Sequence, residues 1–222
     1  MCPYFRPVVF IGPFEHHSNI LPWRESYADV VQIAENDAGS VDLQDLENKL
    51  KQYSARNLKI GSFAAASNLT GALADIDRIT EMLHREGALS FWDYATAAPY
   101  VEMDMNPDAA RESDKTPLNA RYVLQRLLAK DAIFISGHKF LGGPGTPGLL
   151  VCKKKLFTNS SPVVPGGGTV QFVTPRDHTY ISNIEEREEG GTPEILGAIR
   201  LGLVFQLKER LGSLEASLLG RD

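Results

Sequence analysis

With 222 residues, 43% hydrophobic and 23% charged, the chain has an ordinary globular composition and is long enough for one sizeable core. A formal net charge of -5, with the basic residues scattered, gives no electrostatic ground for expecting nucleic acid as a partner. Two cysteines, Cys2 and Cys152, far apart and in unlike contexts, indicate neither a disulfide framework nor a cysteine-rich zinc site, and fit a reducing compartment. The start, MCPYFRPVVFIGPF, lacks a signal-peptide pattern, and no apolar run approaches a membrane span. A soluble intracellular protein is expected, cytoplasmic or in an organelle, with no membrane partner.

Val8 to Gly12 and Val30 to Ala34 read as buried strands, and between them FEHHSNILPWRES reads as a loop entering a helix. VDLQDLENKLKQY puts Leu43, Leu46, Leu50 and Tyr53 on one helical face, with Asp42 as N-cap and Asp45 in the first turn, where the helix dipole favours a negative charge. LKIGSFAA follows as a strand and SNLTGALA as a loop. DIDRITEMLHREG is a helix with Ile76, Ile79 and Leu83 on one face and Gly87 as its stop, and ALSFW is the next strand. The polar, proline-punctuated stretch from Val101 to Pro117 reads as a mobile surface excursion. LNARYVLQRLLAK (helix) and DAIFIS (strand) resume the alternation. In GGTPEILGAIRLGLVFQLKERLG, Thr192 is the expected N-cap of a long helix and Pro193 its first residue. The alternation predicts one α/β domain over 1–222, three layers deep, with a mainly parallel sheet covered on both faces.

Open parallel sheets bind ligands outside the carboxyl ends of their strands, where loops and helix N-termini converge. The residues at those ends are Glu15, His16 and His17, then Ser67 and Asn68, then Asp93, then Ser136, Gly137, His138 and Lys139. Taken singly they are unremarkable, because a lysine after a strand is usually solvated, Asp93 suits a cap and Asn68 suits a turn. Together they suit an organic cofactor. A lysine amine can form a Schiff base when neutral, a state that burial and neighbouring cations favour by lowering its pKa from about 10.4. A carboxylate beside a pyridine nitrogen keeps that ring protonated and so an effective electron sink. A metal is not expected, since His16 and His17 are adjacent, point apart and lie in no HExxH pattern. GGPGTPG lacks the Gly-Lys-Ser/Thr ending of a nucleotide P-loop and reads as a tight turn. Cys152 reads as a small buried hydrophobe and Lys153 to Lys155 as a solvated strand end.

Five motifs occur in order: EHHSNILPW (15 to 23), SNLTG (67 to 71), WDYA (92 to 95), SGHK (136 to 139) and GGTPEI (190 to 195). On these the chain resembles the class V aminotransferase family of fold type I pyridoxal-phosphate enzymes, within it the cysteine desulfurase and selenocysteine lyase branch. The resemblance implies that Lys139 forms the Schiff base with pyridoxal 5'-phosphate, Asp93 pairs with the pyridine nitrogen and His16 stacks on the ring. It also implies that Asn68 lies near the ring hydroxyl, Ser136 and His138 hold the phosphate, and Thr192 reaches the phosphate of a neighbouring subunit, which requires a homodimer. The substrate would be an amino acid, with Lys139 and His16 as the catalytic pair.

The chain resembles a partial large domain. It lacks the family's upstream phosphate-cradling segment and its C-terminal small domain, which carries an arginine for the substrate carboxylate and, in desulfurases, a mobile sulfur-accepting cysteine. Thr96 stands where desulfurases typically have a glutamine, and the Val101 to Pro117 excursion lengthens the interval between Asp93 and Lys139. Both departures keep open other class V chemistries (transaminase, epimerase or kynureninase-like) and a catalytically incompetent interaction module.

Overall fold

The computed structural model describes residues 5–107 and 118–218. Strand β1 (Val8–Ile11) is buried at every position, which is why it reads as an unbroken apolar run. After it come α1 (His17–Arg24), β2 (Asp29–Gln32), α2 (Leu43–Gln52), β3 (Lys59–Ala64), α3 (Ile76–Arg85), β4 (Leu89–Asp93), α4 (Leu118–Leu128) and β5 (Ala132–Ser136). The main sheet has the order β2-β1-β3-β4-β5-β6, in which β6 is Gly148–Cys152. Pairing from β2 through β5 is parallel, and β6 runs antiparallel to β5 at the edge. The link between β5 and β6 contains no crossover helix, so an antiparallel return is the available route.

Alternate residues of the strands face opposite layers. On one face Val8, Phe10, Phe63 and Trp92 pack with Leu46 and Leu50 of α2 and Ile79 and Leu83 of α3. On the other, Val9, Ile11 and Ile60 pack under Ile20 and Trp23 of α1. Full burial of an apolar side chain such as Phe10 contributes about 1.5–3 kcal/mol, so these positions dominate the stability of the layers. Trp92 is placed further by its indole N–H, which donates to Thr80 Oγ1 of α3 at 2.9 Å in a wholly buried pair. Asp42 caps α2 as expected, accepting from the N–H groups of Gln44 and Asp45 at 2.9 and 3.0 Å. Asp75 caps α3, which ends before Gly87 at φ 68°.

The structure departs from the sequence expectations in four places. The last described helix, α6 (Ile195–Leu218), starts at Ile195, and the carbonyl of Glu194 accepts its first bond, from Ala198 N. Thr192 therefore lies two residues ahead of the cap and Pro193 outside the helix. The reason is a tertiary bond, Gly191 N to Gly167 O at 2.7 Å, which ties this segment to another loop before the helix begins. A second, two-stranded sheet, β7 (Val170–Val173) with β8 (His178–Tyr180), and the five-residue helix α5 (Ile184–Glu188) carry too little apolar periodicity to be read from sequence. Lys153 is not merely solvated, because its Nζ donates to Ala129 O at 3.0 Å and Asp131 Oδ1 at 3.3 Å. In the Val101 to Pro117 stretch, Val101, Met103 and Met105 pack against the core, while 108–117 lies outside the described residues, as does Cys2. Among the described residues no helix is long and apolar enough to cross a membrane.

Candidate active site

The carboxyl ends of β4 and β5 and the start of α1 enclose a cavity of about 570 Å³. Asp93 is the last residue of β4 and Ser136 the last of β5, and each stands at the rim because its strand ends there. Immediately after Ser136 the chain tightens into a 3₁₀ turn, Gly137–Lys139, which turns His138 and Lys139 toward the cavity. Gly137 is buried, and a Cβ there would meet the side chains of Leu201 in α6 and Thr146, so any larger residue beneath the lysine would force them to shift. His16 is the N-cap of α1, its Nδ1 accepting the Ser18 N–H at 3.1 Å. The cavity is thus lined by His16, Asp93, Ser136, His138 and Lys139 together, with Phe134 and Trp23 supplying apolar wall.

The electrostatics of this edge are set by two carboxylates. Asp93 Oδ1 accepts the Ala95 N–H at 2.8 Å, which fixes its rotamer just past the strand end. Glu15, in the turn between β1 and α1, receives three N–H donors: Ala64 N at 2.8 Å, Gly12 N at 3.2 Å and Asn19 Nδ2 at 2.6 Å. Burial pushes its carboxyl up, those three bonds pull it down, and the nearby charge of Asp93 pushes it up again, leaving it at about 7. Lys139 and His138 are exposed at the mouth of the cavity. Lys139 also borders a second cavity of about 720 Å³ between the loop that follows it and α6.

Of the residues singled out from sequence, five converge on the first cavity and two do not. Asn68 is exposed in the turn after β3, and Thr192 is exposed ahead of α6; neither lines the cavity. Sequence reasoning passed over Ser18, Asn19 and Trp23, which line it from α1. Their signal was present: Asn19 and Trp23 follow His16 at the helical spacing of three and seven. Cys152, half-buried on β6, has its thiol pushed up chiefly by burial and then by the charge of Asp131, which does not favour a nucleophile.

Against known families, the model described as Aminotransferase class-V matches residues 7–110 and 118–217. A protein of Halalkalibacterium halodurans named a probable cysteine desulfurase is 30% identical over 208 residues, covering 92% of this chain and 45% of the relative. A probable cysteine desulfurase of Pyrococcus abyssi is 30% identical over 204 residues, covering 90% of this chain and 44% of the relative. Among solved structures, an apo cysteine desulfurase from Thermococcus onnurineus superposes with a TM-score of 0.72 at 27% identity, over 94% of this chain and 46% of that one. The Escherichia coli cysteine desulfurase CsdA gives 0.70 at 24% identity, over 99% of this chain and 53% of that one, a likeness of fold. The chain spans about half the length of the proteins it matches. With its order of motifs, its sheet and nearly its whole length accounted for by one family model, the chain belongs to the class V aminotransferase family.

Proposed function

We propose that this chain forms the cofactor-binding part of a pyridoxal-phosphate enzyme acting on an amino acid, with cysteine desulfurase or selenocysteine lyase chemistry as the specific activity. The observation that carries the reading is the convergence of His16, Asp93, Ser136, His138 and Lys139 on one cavity at the carboxyl edge of parallel strands. The donor set suits the group. Asp93 is the carboxylate for a protonated ring nitrogen, His16 offers a flat aromatic face, and Ser136 and His138 offer donors for a phosphate. A cavity of about 570 Å³ is ample for a molecule of that size.

When bound, pyridoxal phosphate supplies an electron sink for negative charge developing at the substrate α-carbon. The chain's own groups then have distinct tasks. Lys139 would provide the amine that holds the group covalently, and the same amine would serve to take and return a proton at the substrate carbon. Asp93, held in place by the Ala95 N–H, would keep the proton on the ring nitrogen. His16 would cover one side of the ring and exclude water there, and Phe134 and Trp23 line the cavity beside it. Asn68 would contact the ring hydroxyl, and Thr192, which does not line the cavity of its own chain, would serve the phosphate of a partner in a homodimer.

Titration with pyridoxal phosphate followed by visible absorbance tests this assignment. Wild-type protein gives a saturable band distinct from that of the free compound, and Asp93→Asn weakens binding at least about tenfold while shifting the band. Equal affinity and an identical spectrum for Asp93→Asn would remove the carboxylate, and with it the proposed site.

A further inference from the structure

The turn that carries His16 is built around a side chain that the family resemblance left without a task. Strand β1 ends at Ile11, paired with Ser62 of β3, whereas β3 runs on to Ala64. Beyond Ile11 the β3 backbone would face a gap on its β1 side. Glu15 fills it. A single oxygen, Oε1, accepts the N–H groups of both Ala64 and Gly12, as a strand carbonyl would. The other oxygen accepts from Asn19 Nδ2 in α1, and Asn19 Oδ1 accepts from the buried hydroxyl of Ser62 at 2.7 Å. One closed circuit thus joins β3, the turn and the first turn of α1. His16 is the next residue along the chain and the cap of that helix.

We propose that Glu15 is a positioning residue of the cofactor site: by standing in for the missing end of β1 and tying β3 to α1, it fixes His16 opposite Asp93. The inference rests on the proposed function, but its geometric half, the control of His16, exists without any cofactor. The charge facing Glu15 from the neighbouring strand is that of Asp93 on β4, and the circuit's other members, Asn19 and Ser62, do not titrate. The backbone N–H groups of a strand and a turn, fixed in direction, suit an acceptor at this position and nothing else.

Two variants separate the acceptor from the charge. Glu15→Gln keeps an oxygen for Ala64 and Gly12, and rotation of the Asn19 amide restores the remaining bonds. Glu15→Ala removes the acceptor and leaves three donors without partners. In the cofactor-free chain, the imidazole NMR signals of His16 shift in Glu15→Ala, those of His84 do not, and Glu15→Gln returns His16 to its wild-type values. With pyridoxal phosphate added, Glu15→Ala binds at least about tenfold more weakly and loses the induced circular dichroism of an ordered ring, and Glu15→Gln recovers both. Unchanged His16 signals in Glu15→Ala, or equal damage in both variants, would overturn the proposal. If the wild-type chain binds no pyridoxal phosphate yet Glu15→Ala still displaces His16, the proposed function fails and the positioning role stands. Should Glu15→Ala not fold, Ser62→Ala opens the same circuit away from the cavity: a shift at His16 supports the role, and none refutes it.

Discussion

The two ends of the sheet treat a buried carboxyl group in opposite ways. At the carboxyl edge, burial drives Glu15 up to about 7, and its charged neighbour, Asp93, has the same sign. At the amino edge, burial also pushes Asp131 up, but a His84 bond at 2.9 Å, the Ser90 N–H at 3.1 Å and the charge of Lys153 outweigh it and pull Asp131 down to about 2. His84 is held in turn by the carbonyl of Leu127 at 2.6 Å, so this cluster clamps α3, β4 and the entry to β5 together. Ser90, His84 and Asp131 supply the residue types of a hydrolytic triad, yet Ser90 and Asp131 share one nitrogen of the ring, His84 Nε2, and the other is spent on a backbone carbonyl. The difference agrees with placing the proposed site at the carboxyl edge. The amino edge pairs its charges and is spent on stability, whereas the carboxyl edge gathers like charges and exposed donors that a ligand would have to satisfy.

The comparison breaks first at Asp131. Asp131→Ala leaves His84 and Lys153 without their carboxylate, and we expect a loss of about 4 kcal/mol in denaturant unfolding; a loss below about 1 kcal/mol would mean that the clamp is ornamental. The next effect is the pH dependence of stability in the cofactor-free chain. Glu15 holds its proton more tightly folded than unfolded, so its stabilising contribution is present below its ordinary 4.5 and is lost as pH rises through about 7. This amounts to as much as about 3 kcal/mol, and Glu15→Gln abolishes it; parallel stability curves for the two proteins between pH 5 and 8 would contradict it. The smallest effect is the acid limb. The Asp131 contribution, about 2 kcal/mol, is present above 3.8 and disappears as pH falls toward 2, a limb absent from Asp131→Ala.

Much of this architecture is legible in the sequence for local reasons. β1 and β5 announce themselves as apolar runs because burial on two faces leaves little room for alternation, and α2 and α3 because their caps and apolar stripes agree. The cavity's five named residues were legible because strand ends fall predictably at one edge. What escaped depends on contacts distant in sequence. The start of α6 is set by Gly167, the role of Lys153 by Asp131, and that of Glu15 by an N–H of β3 that stands 49 residues away. Glu15 itself looks like an ordinary turn residue, and no local pattern reveals that β1 stops short of its neighbour.

The most direct test of the account is covalent trapping. Pyridoxal phosphate is added to the chain, the adduct is reduced with borohydride, and the modified peptides are mapped by mass spectrometry. One dominant adduct is expected, on Lys139 in the SGHK turn. No adduct, or adducts spread over exposed lysines such as Lys154 and Lys155, would contradict it.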